Sequence, residues 1–477
     1  MSAVGGAEVR RARVGPSILL ALMLSLVGIS TANAAAPHQA TFSVLVPIVA
    51  PAGSSDLLTA EELSALTAPG GSWSVLARAA ISHGATLAID SRIVTSVESL
   101  GSDAPAVATS WLESVKQSGP VYLPWGNADP FVLAMTNPPF RVSTIQLSEI
   151  SGIPAGSIVG WPSGLGGNDR SLRAIQQLGY TSLITDDENF PDTPGSISHE
   201  ISTKVAEAIA PGSTTDIRAL AMRLRLAGGA VVAFPRDTHA IDSRRATALL
   251  DALFVNGTRA RQFTPTSVAD VGTFVVHDVP EVPIRLLMMH HRMDRLVSSI
   301  AMDPTVISTP RLRRLCVVAG GIGGPNFAAN VRSLVRNENS YEEFVSFSLG
   351  SDFTVLANST ELPLTVTNST SSDVTVVATV NATSGIVRIE KPTQKVLVPA
   401  ESSVQVTFPM SSVANGRTSL RATLNTTTGL PISEPAFVEM DVQAQWEGVT
   451  LFVFVGLVSA MLGIGIIRQV RDRRKPR

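Results

Sequence analysis

TFSVLVPIVAP, at residues 41–51, and ATLAIDSRIV, at residues 85–94, are the two segments that decide the expected fold of the first half of the chain. Each is a short apolar run rich in β-branched residues, and a stretch with helical spacing separates them. Buried strands that alternate with helices of this length form parallel βαβ units. Because the alternation continues to about residue 280, residues 41–280 are expected to form a β/α barrel, complete or incomplete.

The second half of the 477-residue chain has two different patterns. Residues 283–340 have apolar side chains at helical spacing, which predicts a helical segment packed on the barrel. Residues 346–445 contain seven short alternating segments separated by turn residues, a pattern typical of an immunoglobulin-like β-sandwich. Cys316 is the single cysteine, so no disulfide within the chain can hold this sandwich and no cysteine-based zinc site can form.

The two ends carry the signals that decide location. Residues 1–34 have three arginines, an apolar stretch and an Ala-x-Ala end, which is typical of a secretory signal peptide. An uncleaved membrane anchor is the alternative. Residues 449–467 form an uncharged apolar run that predicts a transmembrane helix, with a buried core helix as the alternative. The basic tail at 468–477 predicts a cytoplasmic C-terminus and an extracellular ectodomain on a single-pass cell-membrane protein.

Charge limits the classes of partner. Charged residues make up 16% of the chain, which argues against a disordered or nucleic-acid-binding protein. With the cationic leader and tail set aside, residues 35–467 are clearly acidic, and this excludes nucleic acid and anionic lipid as partners of the ectodomain. Neutral glycans and divalent cations remain compatible with an acidic ectodomain.

Four aspartates follow strand-like runs in the expected barrel. In such barrels reactive residues lie at the carboxyl ends of the strands. A group of carboxylates there could provide a general acid and base for glycoside chemistry, or could bind a cation. The alternative is that each aspartate only caps a turn or helix. The candidates are Asp90, Asp129, Asp186 and Asp237.

Two tryptophans and one histidine are candidate ligand-binding residues. Trp125 and Trp161 lie at predicted strand ends, where an aromatic face can stack on a sugar ring, although packing in the core explains them equally well. His239 follows Asp237 by two positions. His290 and His291 are adjacent on a predicted helix and cannot easily share a metal, so solvated or interface positions are expected for both. We expect no metal and no cofactor, and no residue is assigned as catalytic.

The arrangement resembles an uncharacterised actinobacterial family of exported, single-pass membrane proteins. Besides the two opening segments, the matching motifs are YLPWGNADP at 122–130, VGWPSG at 159–164, LRAIQQLGYTSLIT at 172–185, ELPLTVTNST at 361–370 and the Trp446-Glu447-Gly448 entry to the apolar run. Genes of that family often lie beside a lipid II flippase-like gene, so the resemblance implies a role in the cell envelope.

The barrel half is also similar to polysaccharide deacetylase and glycosidase barrels. It departs from the deacetylases because the H-x-x-x-H metal motif is missing, although Asp186 and Asp187 are present. The function predicted from the sequence is therefore non-catalytic binding or scaffolding in cell-envelope assembly. The partner would be a cell-wall glycan or an envelope-assembly membrane protein. The alternative is a divergent glycan-processing enzyme that uses the barrel carboxylates.

Overall fold

The computed structural model describes residues 39–51, 56–135, 141–163, 169–236, 240–272, 275, 280–348, 353–355, 357, 359–443 and 446–473. In this part of the chain an α/β half and an all-β half are joined by three helices, and a long apolar helix follows. The predicted signal peptide at 1–34 and the end of the basic tail, together with Asp237 and His239, lie outside the described residues.

The first half alternates strands and helices as its sequence predicts. Its strands are β1 (Gln39–Ile48), β2 (Thr86–Asp90), β3 (Val121–Leu123), β4 (Ser182–Leu183), β5 (Val231–Ala233), β6 (Arg259–Arg261) and β7 (Thr266–Ser267). Its helices are α1 (Ala60–Thr67), α2 (Ser72–Ser82), α3 (Ser91–Leu100), α4 (Ala106–Gln117), α5 (Pro130–Ala134), α6 (Thr144–Ser151), α7 (Asp169–Gln177), α8 (His199–Ile209), α9 (Ile217–Ala227) and α10 (Ser243–Leu253).

A parallel sheet organises this half. Its strand order is β3-β2-β1-β5, and β6 pairs in parallel with the start of β1, whereas β4 and β7 form a separate antiparallel pair. Isolated parallel bridges extend the order beyond these ladders, from Tyr122 to Ile158, from Gly160 to Leu183, and from Ile197 to both Asp186 and Val231. The structure thus has mixed helices and sheets, and regular ladders do not make the complete β/α barrel that the sequence allowed.

Both faces of the parallel strands are buried. Along β1, Val44 and Val46 pack into the large cluster shared with the surrounding helices, whereas Leu45 belongs to a smaller cluster on the other face. In β2, Leu87 packs into the large cluster and Ala88 belongs to the smaller one. Burial on two faces explains why these strands are nearly continuous apolar runs instead of alternating ones.

Three helices link the halves and contribute to both of their cores. They are α11 (Glu281–Val297), α12 (Thr305–Gly320) and α13 (Phe327–Asn337). Within α12, Ile307 packs in the hydrophobic core of the all-β half, and Leu315 packs in the core of the α/β half. Val297, at the end of α11, also joins the all-β core. The helical segment is therefore shared between the two halves.

The all-β half consists of two sheets. Its strands are β8 (Val345–Ser348), β9 (Phe353–Val355), β10 (Ser359–Asn368), β11 (Val374–Ala382), β12 (Val387–Ile389), β13 (Thr393–Val398), β14 (Ser402–Ser412), β15 (Gly416–Asn425) and β16 (Ala436–Val442). The sheet orders are β12-β14-β10-β8 and β13-β11-β15-β16-β9, and neighbours are antiparallel except β16 and β9. Along β10 and β11, buried residues alternate with more exposed ones, as expected for strands of a sandwich whose inner faces form the core. The seven predicted strands are present, and β8 and β9 are additional.

The last helix, α14 (Trp446–Arg473), carries the predicted apolar run. Its segment Leu451–Gln469 is, among the described residues, the one stretch of helix long and apolar enough to cross a membrane. None of that segment is buried against the rest of the protein. The alternative of a buried core helix is therefore wrong.

Candidate functional site

A cavity of about 710 Å³ lies at the carboxyl ends of the parallel strands. Val49 and Ala50 line it just after β1, Trp161 lines it after the bridged segment 158–160, and Arg236 lines it after β5. The first two turns of α8 and the glycine-rich loop 320–324 after α12 form the remaining walls. We call this space the strand-edge cavity.

The end of α12 reaches the cavity because two backbones meet there without side chains. Gly126 has a φ of +60°, and a Cβ at this position would lie 2.6 Å from the Cα of Val317. A Cβ on Gly320 would lie 2.0 Å from the carbonyl oxygen of Gly126. A larger residue at either glycine would separate the helix from the turn after β3. The contact fixes the loop 320–324 over the strand ends.

Asp90 is fully buried beside the cavity and does not line it. Its carboxylate accepts hydrogen bonds from the backbone N–H groups of Ala50, Arg92 and Gly126, at 3.2, 2.9 and 2.9 Å. Burial raises the pKa of Asp90 to about 6, against the N–H groups and the charge of Arg92, which lower it. The prediction that Asp90 faces the mouth is corrected, because this carboxylate connects the ends of three segments.

Asp129, like Asp90, is a buried carboxylate that accepts hydrogen bonds from backbone N–H groups. It is fully buried, and it caps α5 by accepting from the N–H groups of Phe131 and Val132 at 2.8 and 3.3 Å. Its second oxygen accepts from the N–H of Ser163 at 2.6 Å. Asp129 does not line the cavity, because both of its oxygens are turned toward backbone groups. Its effect is to hold the segment after Trp161 in place.

The two tryptophans differ. Trp125 is fully buried, and the guanidinium of Arg313 lies 4.6 Å from its ring centroid. No face of Trp125 can stack on a sugar, so that expectation is corrected in favour of packing in the core. Trp161 does line the cavity, although 95% of its surface is covered. Part of its cover is Arg236, whose guanidinium lies 5.3 Å from the Trp161 ring centroid.

Arg236 is the cation of the cavity. Its Nη2 donates to the carbonyl oxygen of Asn127 at 3.2 Å. When the Asn127 amide is oriented so that its oxygen faces the guanidinium, that oxygen accepts from Nε and Nη2 at 3.0 Å each. Burial lowers the pKa of Arg236, and the charges of Asp129 and Asp186 raise it in part. Arg236 was missed in the sequence, because acidic, aromatic and histidine side chains after the strands were considered but no arginine.

Asp186, Glu188 and His199 form a polar group on the cavity wall. Asp186 accepts from the side-chain amide of Asn189 at 2.7 and 2.8 Å, and Nδ1 of His199 lies 2.9 Å from Glu188. One ligand atom from each of the three lies within 4.8 Å of the others, so this group could hold a metal ion. Asp186 is therefore the one predicted aspartate of the described residues that lines the cavity.

A second polar group lies where the two halves meet, and its members are buried except for the half-buried Arg314 and the exposed Glu343. It comprises His290, Asp294, Arg311, Arg314, Glu338, Tyr341 and Glu343, and we call it the junction cluster. Arg311 is 1% exposed and donates to Asp294 at 3.0 Å and to the backbone carbonyls of Glu338 and Ser340. Arg314 pairs with Glu338. The solvated or interface position expected for His290 and His291 is corrected, since both are buried.

The protonation behaviour of the junction cluster follows from its pairing. Burial raises the pKa of Asp294, although His290, Arg311 and the Tyr341 hydroxyl act against it. For Glu338, burial acts in the same direction, but the hydrogen bond from His290 and the charges of Arg314 and Arg311 outweigh it and lower the pKa. His290, Asp294 and Glu338 could hold a metal by distance. Two arginines already neutralise these carboxylates, so the cluster is structural.

Comparison with known proteins finds a matching family model for the C-terminal part of the chain. A family of unknown function, DUF6049, matches residues 334–477, which span the end of α13, the sandwich and α14. No curated protein matches the sequence. The family match begins after every residue of the strand-edge cavity. The matches give no support to an actinobacterial source or to a similarity with polysaccharide deacetylases.

Solved structures match about a fifth of the chain. The native α2-macroglobulin of Escherichia coli is 16% identical with a TM-score of 0.18, and the match covers 21% of this chain and 7% of that one. A Caenorhabditis elegans MSP family member, WR4, is 8% identical with a TM-score of 0.17, covering 21% of this chain and 97% of that one. A Pyrococcus furiosus CARDB domain in complex with di-metal ions is 18% identical, with a TM-score of 0.17, covering 21% and 90%.

Proposed function

We propose that the chain is a membrane-anchored cell-surface protein whose α/β half binds a cell-envelope glycan in the strand-edge cavity without converting it. The observation that carries the proposal is the cavity itself, at the carboxyl ends of parallel strands, where α/β folds bind their ligands. Its volume suits a ligand of one or two sugar rings, since small-molecule sites have volumes of roughly 300–1,000 Å³.

The positions of the carboxylates favour binding over catalysis. A general acid or base must reach the reacting atoms. Asp90 and Asp129 instead direct both oxygens at backbone N–H groups within the protein. Their hydrogen bonds hold the strand ends together and so shape the cavity.

The proposal also includes the domain organisation and membrane topology that the sequence predicts. Residues 1–34 are removed as a signal peptide, residues 41–280 form one domain whose bridged strands close into a barrel, and 346–445 are a stalk. Residues 449–467 cross the cell membrane, and 468–477 lie in the cytoplasm. In support, α14 is a suitable span and is followed by arginines. A reporter that works only in the cytoplasm, fused after Arg477, should be active, and inactivity at normal expression would contradict this orientation.

The binding test uses the full chain purified in a neutral detergent and a peptidoglycan pull-down. Thr203 is exposed and lines the cavity on α8, so Thr203→Trp should fill the cavity and abolish retention. Thr109→Trp is the matched control, because Thr109 is exposed on α4 and does not line the cavity. Equal retention of the wild type and Thr203→Trp would overturn binding in this cavity.

A glycan-processing enzyme is the second candidate, because Asp186 and Glu188 line the same cavity. If the chain cleaves glycans, incubation with peptidoglycan should release soluble fragments, and Asp186→Asn should reduce the rate about 10²–10⁴-fold, the usual cost of losing a general acid or base. Retention of peptidoglycan without release of fragments would leave the binding function and exclude this one.

A further inference from the structure

We propose that the bound ligand carries an anionic group, a carboxylate or a phosphate, and that Arg236 recognises it. The inference rests on the proposed function, because it concerns the same cavity and narrows the ligand to an acidic glycan. It goes against the expectation from composition, since the acidic ectodomain predicts neutral or cationic partners. The overall charge of the ectodomain is negative, but the charge that Arg236 presents to the cavity is positive.

Among the residues that the structure describes, no carboxylate lies at salt-bridge distance from Arg236. The partners of its guanidinium there are the Asn127 oxygens and the Trp161 ring. A desolvated charge is costly unless it is paired, so buried cations normally have an anionic partner. Because Arg236 lines an open cavity, an anionic ligand could act as that partner.

Among the described residues, the two carboxylates whose charge acts on Arg236 have other partners. Asp129 and Asp186 are close enough to raise the pKa of Arg236. The oxygens of Asp129 accept from three backbone N–H groups, and those of Asp186 accept from the amide of Asn189. These hydrogen bonds fix both carboxylates away from a direct pair with the guanidinium. The negative charge nearby lowers the cost of burying Arg236 but leaves its donors free for a ligand.

The guanidinium is held in one orientation before any ligand binds. Asn127 accepts from its Nε and Nη2 edge, and the Trp161 ring lies under its face. A guanidinium has five N–H donors in a planar fork that matches the two oxygens of a carboxylate or phosphate. The donors that Asn127 does not use are those available to the cavity. Trp161 and Asn127 are therefore positioning residues, and the sugar-stacking role expected for Trp161 is replaced by support of Arg236.

The experiment compares two sugars that differ by one lactyl ether group, which carries a carboxylate. N-acetylmuramic acid and N-acetylglucosamine are titrated separately into the full chain in neutral detergent, by calorimetry. Wild-type protein should bind the acid about tenfold or more tightly than the neutral sugar, as expected for a charge-assisted bidentate contact. Arg236→Gln should remove that preference. Arg223→Gln, an exposed arginine on α9 outside the cavity, is the matched control and should retain it.

Inorganic phosphate tests the anion site without any sugar. Phosphate should raise the melting temperature of the wild type above that in chloride at equal ionic strength, and Arg236→Gln should lose this increase. An increase with phosphate but no binding of either sugar would support the anion site and contradict the glycan function. Equal affinity for both sugars, unchanged in Arg236→Gln, would overturn the anion site and leave the glycan function. No response to phosphate or either sugar would overturn both.

Discussion

Arg311, which is buried, and Arg236, which is half-buried, have different kinds of partner. In the junction cluster, Arg311 faces Asp294 directly and contacts two backbone carbonyls, with the carboxylate of Glu343 at 3.4 Å. In the strand-edge cavity, Arg236 has an amide and an aromatic ring instead of a carboxylate. Carboxylates within the protein supply the counter-charge of Arg311, although its Nε has no hydrogen-bond partner among the described residues, whereas no described carboxylate pairs with Arg236. The difference separates a charge that maintains the fold from one that is available to a ligand.

The same contrast applies to the carboxylates. Asp294 and Glu338 are paired with arginines, whereas Asp90 and Asp129 are held by backbone N–H groups at the strand ends. If the contrast is correct, removing one charge from the junction cluster should affect stability much more than removing one near the cavity. The four predictions below test this, from the largest expected effect to the smallest.

Arg311→Gln should lower the free energy of unfolding by about 3–5 kcal/mol, because it leaves Asp294 and part of Glu338 buried without their cation. Urea unfolding of the full chain in detergent, followed by tryptophan fluorescence, measures the loss. Arg332→Gln, an exposed arginine on α13, is the matched control and should change stability by less than about 0.5 kcal/mol. Equal behaviour of the two variants would contradict a structural role for the cluster.

Asp90→Asn should change how stability depends on pH. The folded-state pKa of Asp90, about 6, lies above its ordinary value of 3.8, so the folded state holds the proton more tightly. Its stabilising contribution is fully present below about pH 4 and is lost as the pH rises through about 6. A shift of about two units corresponds to about 3 kcal/mol. Relative to Asp90→Asn, the wild type should therefore lose about 3 kcal/mol between pH 4 and pH 7.

Urea unfolding at several pH values gives this difference directly. Asp251→Asn provides the comparison, because Asp251 is exposed on α10, where it pairs with His83. A wild type and an Asp90→Asn variant whose stabilities run parallel from pH 4 to pH 7 would show that Asp90 stays ionised when folded.

Tyr341→Phe should cost about 1–2 kcal/mol, because the Tyr341 hydroxyl donates to the Asp294 carboxylate at 2.9 Å and a hydrogen bond to a charged group is worth this much. The ring and its contact with Arg311 remain. Urea unfolding measures the loss, and a double-mutant cycle with Asp294→Asn isolates the pair. A cost that is unchanged in the Asp294→Asn background would place the effect of the hydroxyl elsewhere.

Arg236→Gln should change stability by less than about 1 kcal/mol, because the lost contacts with the Asn127 oxygens and the Trp161 ring are offset by removal of a desolvated charge, and no described salt bridge is broken. The measurement is the same urea unfolding used for Arg311→Gln, which then serves as its comparison. A loss as large as that of Arg311→Gln would show that Arg236 is neutralised within the protein, and the contrast between the two arginines would disappear.

Much of the fold could be predicted because its signals are local. Strands β3 (Val121–Leu123) and β16 (Ala436–Val442) coincide with short apolar or alternating runs of the sequence that turn residues delimit. β9 was missed because it is defined by parallel pairing with β16 at the sheet edge, a contact that its own three residues do not show. The contribution of Val297 and Ile307 to the sandwich core was missed for another reason, because helical spacing does not show which core a helix face meets.

The site was predicted less completely than the fold. Trp161 and Asp186 line the cavity, because residues that follow parallel strands meet at one edge. Whether a carboxylate there faces the cavity or a backbone N–H depends on the next turn, and Asp90 and Asp129 turned inward. The sequence signal for Arg236 is a cation directly after a buried strand, in PRD at 235–237. Arg311 had no such signal, because its partners lie 17 or more positions away.

Helix α12, which contains Pro310, links the core of the sandwich to the wall of the strand-edge cavity. At about 1.5 Å per residue its 16 residues span about 24 Å. One end is embedded in the sandwich core through Ile307, and the other continues into the loop 320–324 of the cavity wall. At that end the backbones of Gly126 and Gly320 are in direct contact, with no room for a side chain between them. If the chain is anchored and binds a ligand as proposed, a pull on the sandwich would be transmitted through α12 to the wall of the cavity and would alter how firmly the ligand is held.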